Sequence, residues 1–160
     1  MGRRASREAA MKLLYQLEIQ KSDRDEQIDT ALHDENLTES DRKYIRGIID
    51  GVSERVALLD RVIEKYAMGW KISRLSKIDL SILRIGIYEI LYREDIPFSV
   101  SVNEAVELAK KYSNEDAGAF VNGLLAKVTK SDSENRTPEN SGPADKTVTS
   151  ESADADTSDK

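Results

Sequence analysis

The sequence has 160 residues, enough for one domain with a sizeable core, and it carries 24 Lys and Arg against 30 Asp and Glu, a net charge of −6. It has no cysteine and a single histidine, His33, which excludes disulfide scaffolds, thiolate zinc sites, cysteine nucleophiles and His-based metal clusters. No apolar run approaches the ~18–20 residues of a membrane span, and the basic N-terminus lacks the apolar core of a signal peptide, so we expect a cytoplasmic protein with no membrane partner.

The first 32 residues carry the pattern of two amphipathic helices. We place the first helix at about residues 4–20, where four apolar residues recur at helical spacing: Ala10, Leu13, Leu14 and Leu17. Ser22 and Asp25 resemble a capping box, in which each side chain accepts a hydrogen bond from the other residue's backbone amide. That pair predicts a short second helix through Ile28 and Leu32.

A long apolar stripe follows, and Thr38 with the next residues, Glu39-Ser40-Asp41, provides its start signal. The members of the stripe keep helical spacing over many turns: Ile45, Ile48, Ile49, Val52, Val56, Leu59 and Ile63. Gly51, near the middle of the stripe, indicates a break into two helices. The segment Met68-Gly69-Trp70 closes this region.

Residues 78–92 are the most apolar stretch of the chain, and their isoleucines would suit a strand as well as a helix. About fifteen residues without a turn signal are long for a strand and ordinary for a helix. We therefore predict a central helix that is buried on nearly all sides.

Two further helices complete the predicted domain. Pro97 makes a rigid turn, and Ser101 then resembles the first residue of a capping box for the next helix. Ser113 and Asp116 are the start signal of the last helix. We therefore predict an all-α fold, a compact bundle of six or seven helices over residues 1–130.

Residues 131–160 differ from this domain in composition. They hold 8 acids against 3 bases, two of the three prolines and no aromatic residue. Such a stretch cannot bury enough apolar surface to offset its ordering entropy, so we predict a disordered acidic tail. The domain before it holds 22 acids and 21 bases, and its local charge therefore permits a nucleic-acid partner.

The residues show no catalytic constellation. The carboxylates are scattered over helical surfaces and no glycine-rich loop follows a strand, so we expect neither an enzyme nor a cofactor.

The N-terminus is more informative, because Arg3, Arg4 and Arg7 precede the first apolar stripe, with Arg3 and Arg7 one helical turn apart. Guanidinium groups match phosphate oxygens with paired hydrogen bonds, so this cluster favours nucleic-acid contact. A basic terminus that contacts nothing is the alternative.

Four segments of the sequence resemble the family of the transcription antitermination factor NusB. They are Arg3-Arg4-Ala5-Ser6-Arg7-Glu8 leading to Leu14-Tyr15, Leu83-Arg84-Ile85-Gly86-Ile87-Tyr88-Glu89, Val102-Asn103-Glu104-Ala105-Val106-Glu107-Leu108-Ala109-Lys110, and Phe120-Val121-Asn122-Gly123-Leu124-Leu125. The last two, at this spacing after Ile96-Pro97, are quite specific to the family. The resemblance covers about residues 2–129 and leaves the predicted tail outside.

The resemblance implies an all-helical RNA-binding adaptor. Members of the family pair with a small-subunit ribosomal protein, also called Nus factor E, and hold the boxA sequence of nascent RNA. That complex joins the RNA polymerase elongation complex with other Nus factors and suppresses premature termination, chiefly on ribosomal RNA operons. These partners are expectations for the present chain.

The resemblance also implies roles for individual residues. It assigns RNA contacts to Arg3, Arg4, Arg7, Asp116, Phe120 and Asn122, and it assigns contacts with the ribosomal protein to Tyr15 and Asp79. Two departures lower the positive charge: Ser6 interrupts what is often a denser arginine run, and Ala119 stands where a basic residue commonly precedes Phe-Val-Asn-Gly. The resemblance therefore implies low RNA affinity in the absence of the ribosomal protein.

Two other classes of protein stay open from the sequence. The same helical domain serves as an RNA-targeting module of ribosomal RNA cytosine methyltransferases, but such an enzyme needs a further α/β domain, and we expect a disordered tail instead. A helical protein that self-associates without RNA is the other alternative, and a homodimer is compatible with the sequence. The basic N-terminus argues against this last class.

Overall fold

Seven α-helices account for most of residues 2–133, the part of the chain that the computed structural model describes. In chain order they are α1 (Arg3–Ile19), α2 (Arg24–Leu32), α3 (Glu39–Glu54), α4 (Val56–Tyr66), α5 (Lys77–Tyr92), α6 (Phe98–Tyr112) and α7 (Glu115–Leu125). The predicted all-α bundle of six or seven helices is confirmed. Two short 3-10 helices, Ile72–Arg74 and Lys130–Ser133, are also present. The second includes the first three residues of the predicted tail, and the rest of that prediction, residues 134–160, lies outside the described residues.

Helix α5 is the centre of the domain. It packs against α1, α3, α4, α6 and α7, and its buried apolar residues lie around the whole helix: Leu80, Ile82, Leu83, Ile85, Ile87, Ile90 and Leu91. The prediction of a central helix rather than a strand is therefore confirmed. Gly86 allows α7 to approach closely, because a Cβ atom at this position would lie 2.8 Å from a methyl carbon of Leu125.

The start of α3 follows the local sequence signal. Thr38 Oγ1 accepts a hydrogen bond from the Asp41 amide at 3.1 Å, and Asp41 Oδ2 accepts one from the Thr38 amide at 2.8 Å. The capping box predicted at this position is confirmed. Ser6 of α1 also donates to Asp41, at 2.8 Å, so the cap joins α1 to α3.

Three other predicted helix starts are wrong. The residue before α2 is Asp23, in the left-handed region with φ of 55°, and no side chain caps that helix, so Ser22 does not form a box. Helix α6 begins directly after Pro97, which places Ser101 inside the helix. Asn114 rather than Ser113 caps α7, since its side chain accepts the Ala117 amide at 2.7 Å.

The predicted break of the apolar stripe into two helices is present, but it lies at Arg55 rather than at Gly51. Helix α3 continues to Glu54, and the chain leaves helical geometry at Arg55. The glycine has a packing reason instead, because a Cβ atom there would overlap the ring of Tyr88 on α5. The closing turn predicted at residues 68–70 is present, with positive φ at Met68 and Gly69.

Candidate nucleic-acid interface

Arg7, predicted to contact RNA, is buried inside the domain. It is 3 % exposed, and its Nε and Nη2 donate to the two carboxylate oxygens of Glu89 at 3.0 and 3.2 Å. Glu89 on α5 is itself 1 % exposed and also accepts hydrogen bonds from the hydroxyl groups of Tyr44 and Ser101. This Glu89 network joins α1, α3, α5 and α6 through a single carboxylate. An internal partner of this kind leaves Arg7 unavailable to a phosphate, so its predicted RNA contact does not fit this structure.

Protonation in the Glu89 network follows from burial and pairing. Burial disfavours the charged form of Arg7, but its hydrogen bonds with Glu89 outweigh that effect, and the pKa of Arg7 is raised. Burial raises the pKa of the Tyr44 phenol, and the neighbouring Glu89 raises it further. Arg7 is therefore held as a cation and Tyr44 as a neutral hydrogen-bond donor.

The other two arginines of the N-terminus lie at the surface. The Arg4 side chain is 73 % exposed and makes a bidentate pair with Glu104 of α6, at 2.9 and 2.7 Å. The Arg3 guanidinium lies 4.4 Å from the ring centre of Tyr44, and that of Arg7 lies 5.7 Å from it. Arg3 and Arg7 thus share a face of α1, as predicted, but that face meets a tyrosine, and only Arg3 is exposed.

Further cations continue along α1 and α6. Lys111 pairs with Glu8 at 2.9 Å, and the Lys12 ammonium lies 5.4 Å from the ring centre of Tyr112. We call the residues along these two helices the α1–α6 surface: Arg3, Arg4, Glu8, Lys12, Glu104 and Lys111. Within the described chain, no carboxylate forms an ion pair with Arg3 or Lys12.

The predicted RNA residues of α7 lie on the next helix of the domain. Helix α7 packs closely on α6, since a Cβ atom at Gly118 would lie 2.8 Å from Cγ of Lys110. Asp116 is exposed in the first turn, and Phe120, one turn later on the same side of the helix, is half-buried against the core. Asn122 is exposed, but residues two apart point to opposite sides of a helix. The structure therefore brings Asp116 and Phe120 together and separates Asn122 from them.

The residues predicted to face a protein partner lie where α1 meets α5. Glu18 accepts from Arg84 at 3.2 Å and pairs with Lys77 at 3.6 Å, which joins the end of α1 to the start of α5. Tyr15, one turn before Glu18, is half-buried. Its neighbour Leu14 lines an open groove of about 420 Å³. In the described chain Oδ1 of Asp79 is buried and has no hydrogen-bond partner.

Sequence analysis missed the residues that organise this region, above all Glu89, Tyr44 and Glu104. A usable signal was present for one of them, because Glu89 is an acid near the end of the most apolar helix, and charged residues are rarely buried without a partner. No pattern pointed to Tyr44, whose ring lies beneath two arginines of α1.

Residues 2–133 contain neither a candidate metal site nor a candidate membrane span. No group of three or more His, Cys, Asp or Glu residues is placed to hold a metal ion. None of the helices in that range is both long enough and apolar enough to cross a membrane.

Comparison with known proteins identifies the family. The family model described as the NusB family matches residues 4–130. The chain belongs to the NusB family. The transcription antitermination protein NusB of Ruminiclostridium cellulolyticum is 81 % identical over 132 residues, which cover 82 % of this chain and 91 % of that protein. The family and the function in transcription antitermination that the sequence predicted are confirmed.

Solved structures of NusB-family proteins share this fold. The Thermotoga maritima NusB structure superposes with a TM-score of 0.75 at 34 % identity, covering 84 % of this chain and 98 % of that one. A crystal structure of antitermination factors NusB and NusE in complex with double-stranded RNA matches with a TM-score of 0.70 at 26 % identity, covering 78 % and 92 %. One relative with this fold was therefore crystallised with a protein partner and RNA.

Proposed function

We propose that this NusB-family protein holds the boxA RNA of ribosomal RNA operons jointly with a small-subunit ribosomal protein, Nus factor E. The pair then joins the RNA polymerase elongation complex with other Nus factors. The protein acts by binding alone, without catalysis, and it works in the cytoplasm beside the polymerase. In this proposal residues 1–130 form the RNA-binding domain, and residues 131–160 are a separate acidic tail. The relative whose structure contains NusE and RNA supports this assignment of partners.

The observation that carries the proposal is the distribution of charge on the α1–α6 surface. Glu104 neutralises Arg4 and Glu8 neutralises Lys111, whereas Arg3 and Lys12 form no ion pair with a carboxylate among the described residues, although Arg3 interacts electrostatically with Asp95. Two cations outside ion pairs release few counterions from a single strand, about 0.7 per neutralised phosphate, so they supply little affinity on their own. A surface of this kind suits an adaptor that binds RNA firmly only when a second protein completes the site.

Helix α7 supplies the base contacts in this proposal. The ring of Phe120 is half-buried, so one side packs on the core while the exposed part can stack on a base. Asp116, on the same side of α7, accepts hydrogen bonds from base edges. Asn122 lies on the other side of α7, so it contacts RNA only if the strand continues around the helix. Arg3 and Arg4 contact phosphates, and Arg7 positions α1 through Glu89.

The ribosomal protein binds where α1 meets α5. Asp79 lies in the first turn of α5 and is partly exposed, so its carboxylate can pair with a basic side chain of the partner. Tyr15 gives an amphipathic ring of the type that is enriched at protein interfaces. The face is therefore suited to a partner that presents positive charge.

Fluorescence anisotropy with labelled RNA tests the proposed function. We expect boxA RNA to bind weakly to this protein alone and tightly once the ribosomal protein is added, whereas a scrambled RNA of the same composition stays weak in both conditions. Equal affinity for the two RNAs in the presence of the ribosomal protein would refute the proposal.

A further inference from the structure

The loop after α4 exposes two large apolar side chains. Met68 is 79 % exposed and Trp70 is 52 % exposed. Their positions are fixed by a tight turn, in which φ is 54° at Met68 and 94° at Gly69, and the Trp70 amide donates to the Ala67 carbonyl at 3.2 Å. A non-glycine residue in the left-handed region is strained, and such strain is often retained at functional sites. The turn therefore holds an aromatic ring at the surface at a cost to the backbone.

Three cations lie around this loop. Lys71 and Arg74 are exposed beside Trp70, and the ammonium of Lys127 lies 3.5 Å from the Met68 sulfur. Among the described residues, none of these three cations forms an ion pair with a carboxylate. The carboxylate that lies at the loop, Glu64, accepts the Ile72 amide at 3.5 Å. We call this cluster the Trp70 patch: Met68, Trp70, Lys71, Arg74 and Lys127.

Helix α7 connects the Trp70 patch with the proposed RNA contacts. Phe120 is in the middle of α7, and Lys127 follows its last residue, Leu125, by two positions. At 1.5 Å per residue, the five positions from Phe120 to Leu125 correspond to about 7.5 Å along the helix axis, and Lys127 lies in the turn just beyond. A short length of single-stranded RNA spans that distance.

We propose that the Trp70 patch binds single-stranded RNA that flanks boxA. Trp70 stacks on a base, and Lys71, Arg74 and Lys127 contact the neighbouring phosphates. An exposed aromatic ring beside cations that form no ion pair favours RNA over an acidic peptide, because RNA offers both a flat base for stacking and phosphates for the cations, whereas an acidic peptide offers only the negative charge. This inference rests on the proposed function, in which RNA already contacts α7.

Fluorescence gives a direct measurement, because Trp70 is the single tryptophan of the chain. The probes are boxA RNA alone and boxA RNA extended at either end by about eight unstructured nucleotides, within the usual site size of single-strand binding folds. They are titrated into this protein together with a tryptophan-free form of the ribosomal protein. We expect one extended RNA to quench the Trp70 emission and bind about fivefold or more tightly than boxA alone, as the stacking of one base would give. BoxA alone should leave the emission unchanged.

Variants separate stacking from charge. Trp70→Ala should remove the affinity gained from the extension and leave the affinity for boxA alone unchanged, and Trp70→Phe should keep most of the gain. Lys71→Gln combined with Arg74→Gln should lower the slope of log affinity against log salt by about 1.4 for the extended RNA. Phe98→Ala is the matched control, since it removes another exposed aromatic side chain, at the start of α6. Thermal unfolding of each variant checks the fold.

Each other outcome overturns the inference in a distinguishable way. If both extensions add no affinity while boxA binds normally, the Trp70 patch is not an RNA site and the proposed function stands. If boxA itself does not bind in the presence of the ribosomal protein, both proposals fail. If Trp70→Ala weakens binding of the ribosomal protein and leaves RNA affinity unchanged, the patch is a protein surface.

Discussion

Replacing Glu89 by glutamine should strongly destabilise the domain. The change keeps the shape of the side chain but removes its charge, while the buried Arg7 guanidinium stays in place with its two hydrogen bonds directed at this group. Removing one member of a buried ion pair costs about 3–5 kcal/mol, because the other charge is left uncompensated. For a folded domain of this size, each kcal/mol lowers the unfolding midpoint by about 3–5 °C. We therefore expect Glu89→Gln to lower the midpoint by about 9–25 °C.

Circular dichroism during heating measures this loss, and Arg4→Gln is the matched control. Arg4 also pairs with a glutamate through two hydrogen bonds, but its side chain is exposed, so its loss should leave the midpoint nearly unchanged. In a double-mutant cycle, Arg7→Gln with Glu89→Gln should cost less than the sum of the two single changes. A midpoint for Glu89→Gln that equals that of Arg4→Gln would refute the reasoning.

The same structure gives four further expectations. Arg3→Ala and Lys12→Ala should each lower the slope of log RNA affinity against log salt by about 0.7 in the complex with the ribosomal protein, and an unchanged slope would exclude phosphate contact. Asp79→Lys should weaken pull-down of the ribosomal protein without changing the unfolding midpoint, since its carboxylate oxygen lacks an internal partner among the described residues. Phe120→Leu should cost about 1–3 kcal/mol in RNA binding at an unchanged salt slope if the ring stacks on a base, whereas a purely structural ring would lower only the midpoint. Hydrogen bonds from the backbone amide of Thr38 and the hydroxyl of Ser6 lower the pKa of Asp41. The ionised carboxylate therefore stabilises the fold above about pH 4, and this stabilisation is lost as the pH falls below that value. Between pH 5 and pH 3, the unfolding midpoint of Asp41→Asn should fall less than that of the unchanged protein.

The helices could be predicted because their burial pattern is periodic, but most helix starts could not. A serine or threonine three residues before an acid occurs at several places in this chain, and the structure uses that motif as a full capping box at Thr38. At Ser101 the same pattern lies inside α6, where the hydroxyl donates to Glu89. Which of these similar segments becomes a cap depends on the tertiary neighbour of the side chain, and a short local pattern does not contain that information.

The glycines within helices could also not be explained from the local sequence. Gly51 and Gly86 both lie within helices, where glycine is less stable than alanine, so helix propensity alone predicts a local loss of helix stability at each position. In the structure each admits a side chain from a neighbouring helix, Tyr88 in one case and Leu125 in the other. The residue that explains the glycine is 37 to 39 positions away in the sequence, so the explanation requires the packing of α3 on α5 and of α5 on α7.

The candidate site departs from expectation where residue type and burial disagree. Arginine is usually exposed, so a basic N-terminus predicts a row of phosphate contacts, yet Arg7 is buried because Glu89 lies opposite it on α5. Tryptophan is usually well buried, yet the left-handed backbone at residues 68 and 69 carries the ring of Trp70 outward. The burial of Arg7 removes a cation from the proposed RNA surface and fixes the angle of α1, which carries the remaining arginines. The exposure of Trp70 adds an aromatic ring and its neighbouring cations, which form no ion pair among the described residues, near the C-terminal end of α7. The surface that we propose for RNA is therefore determined less by the number of basic residues in the sequence than by which of them are buried in the core.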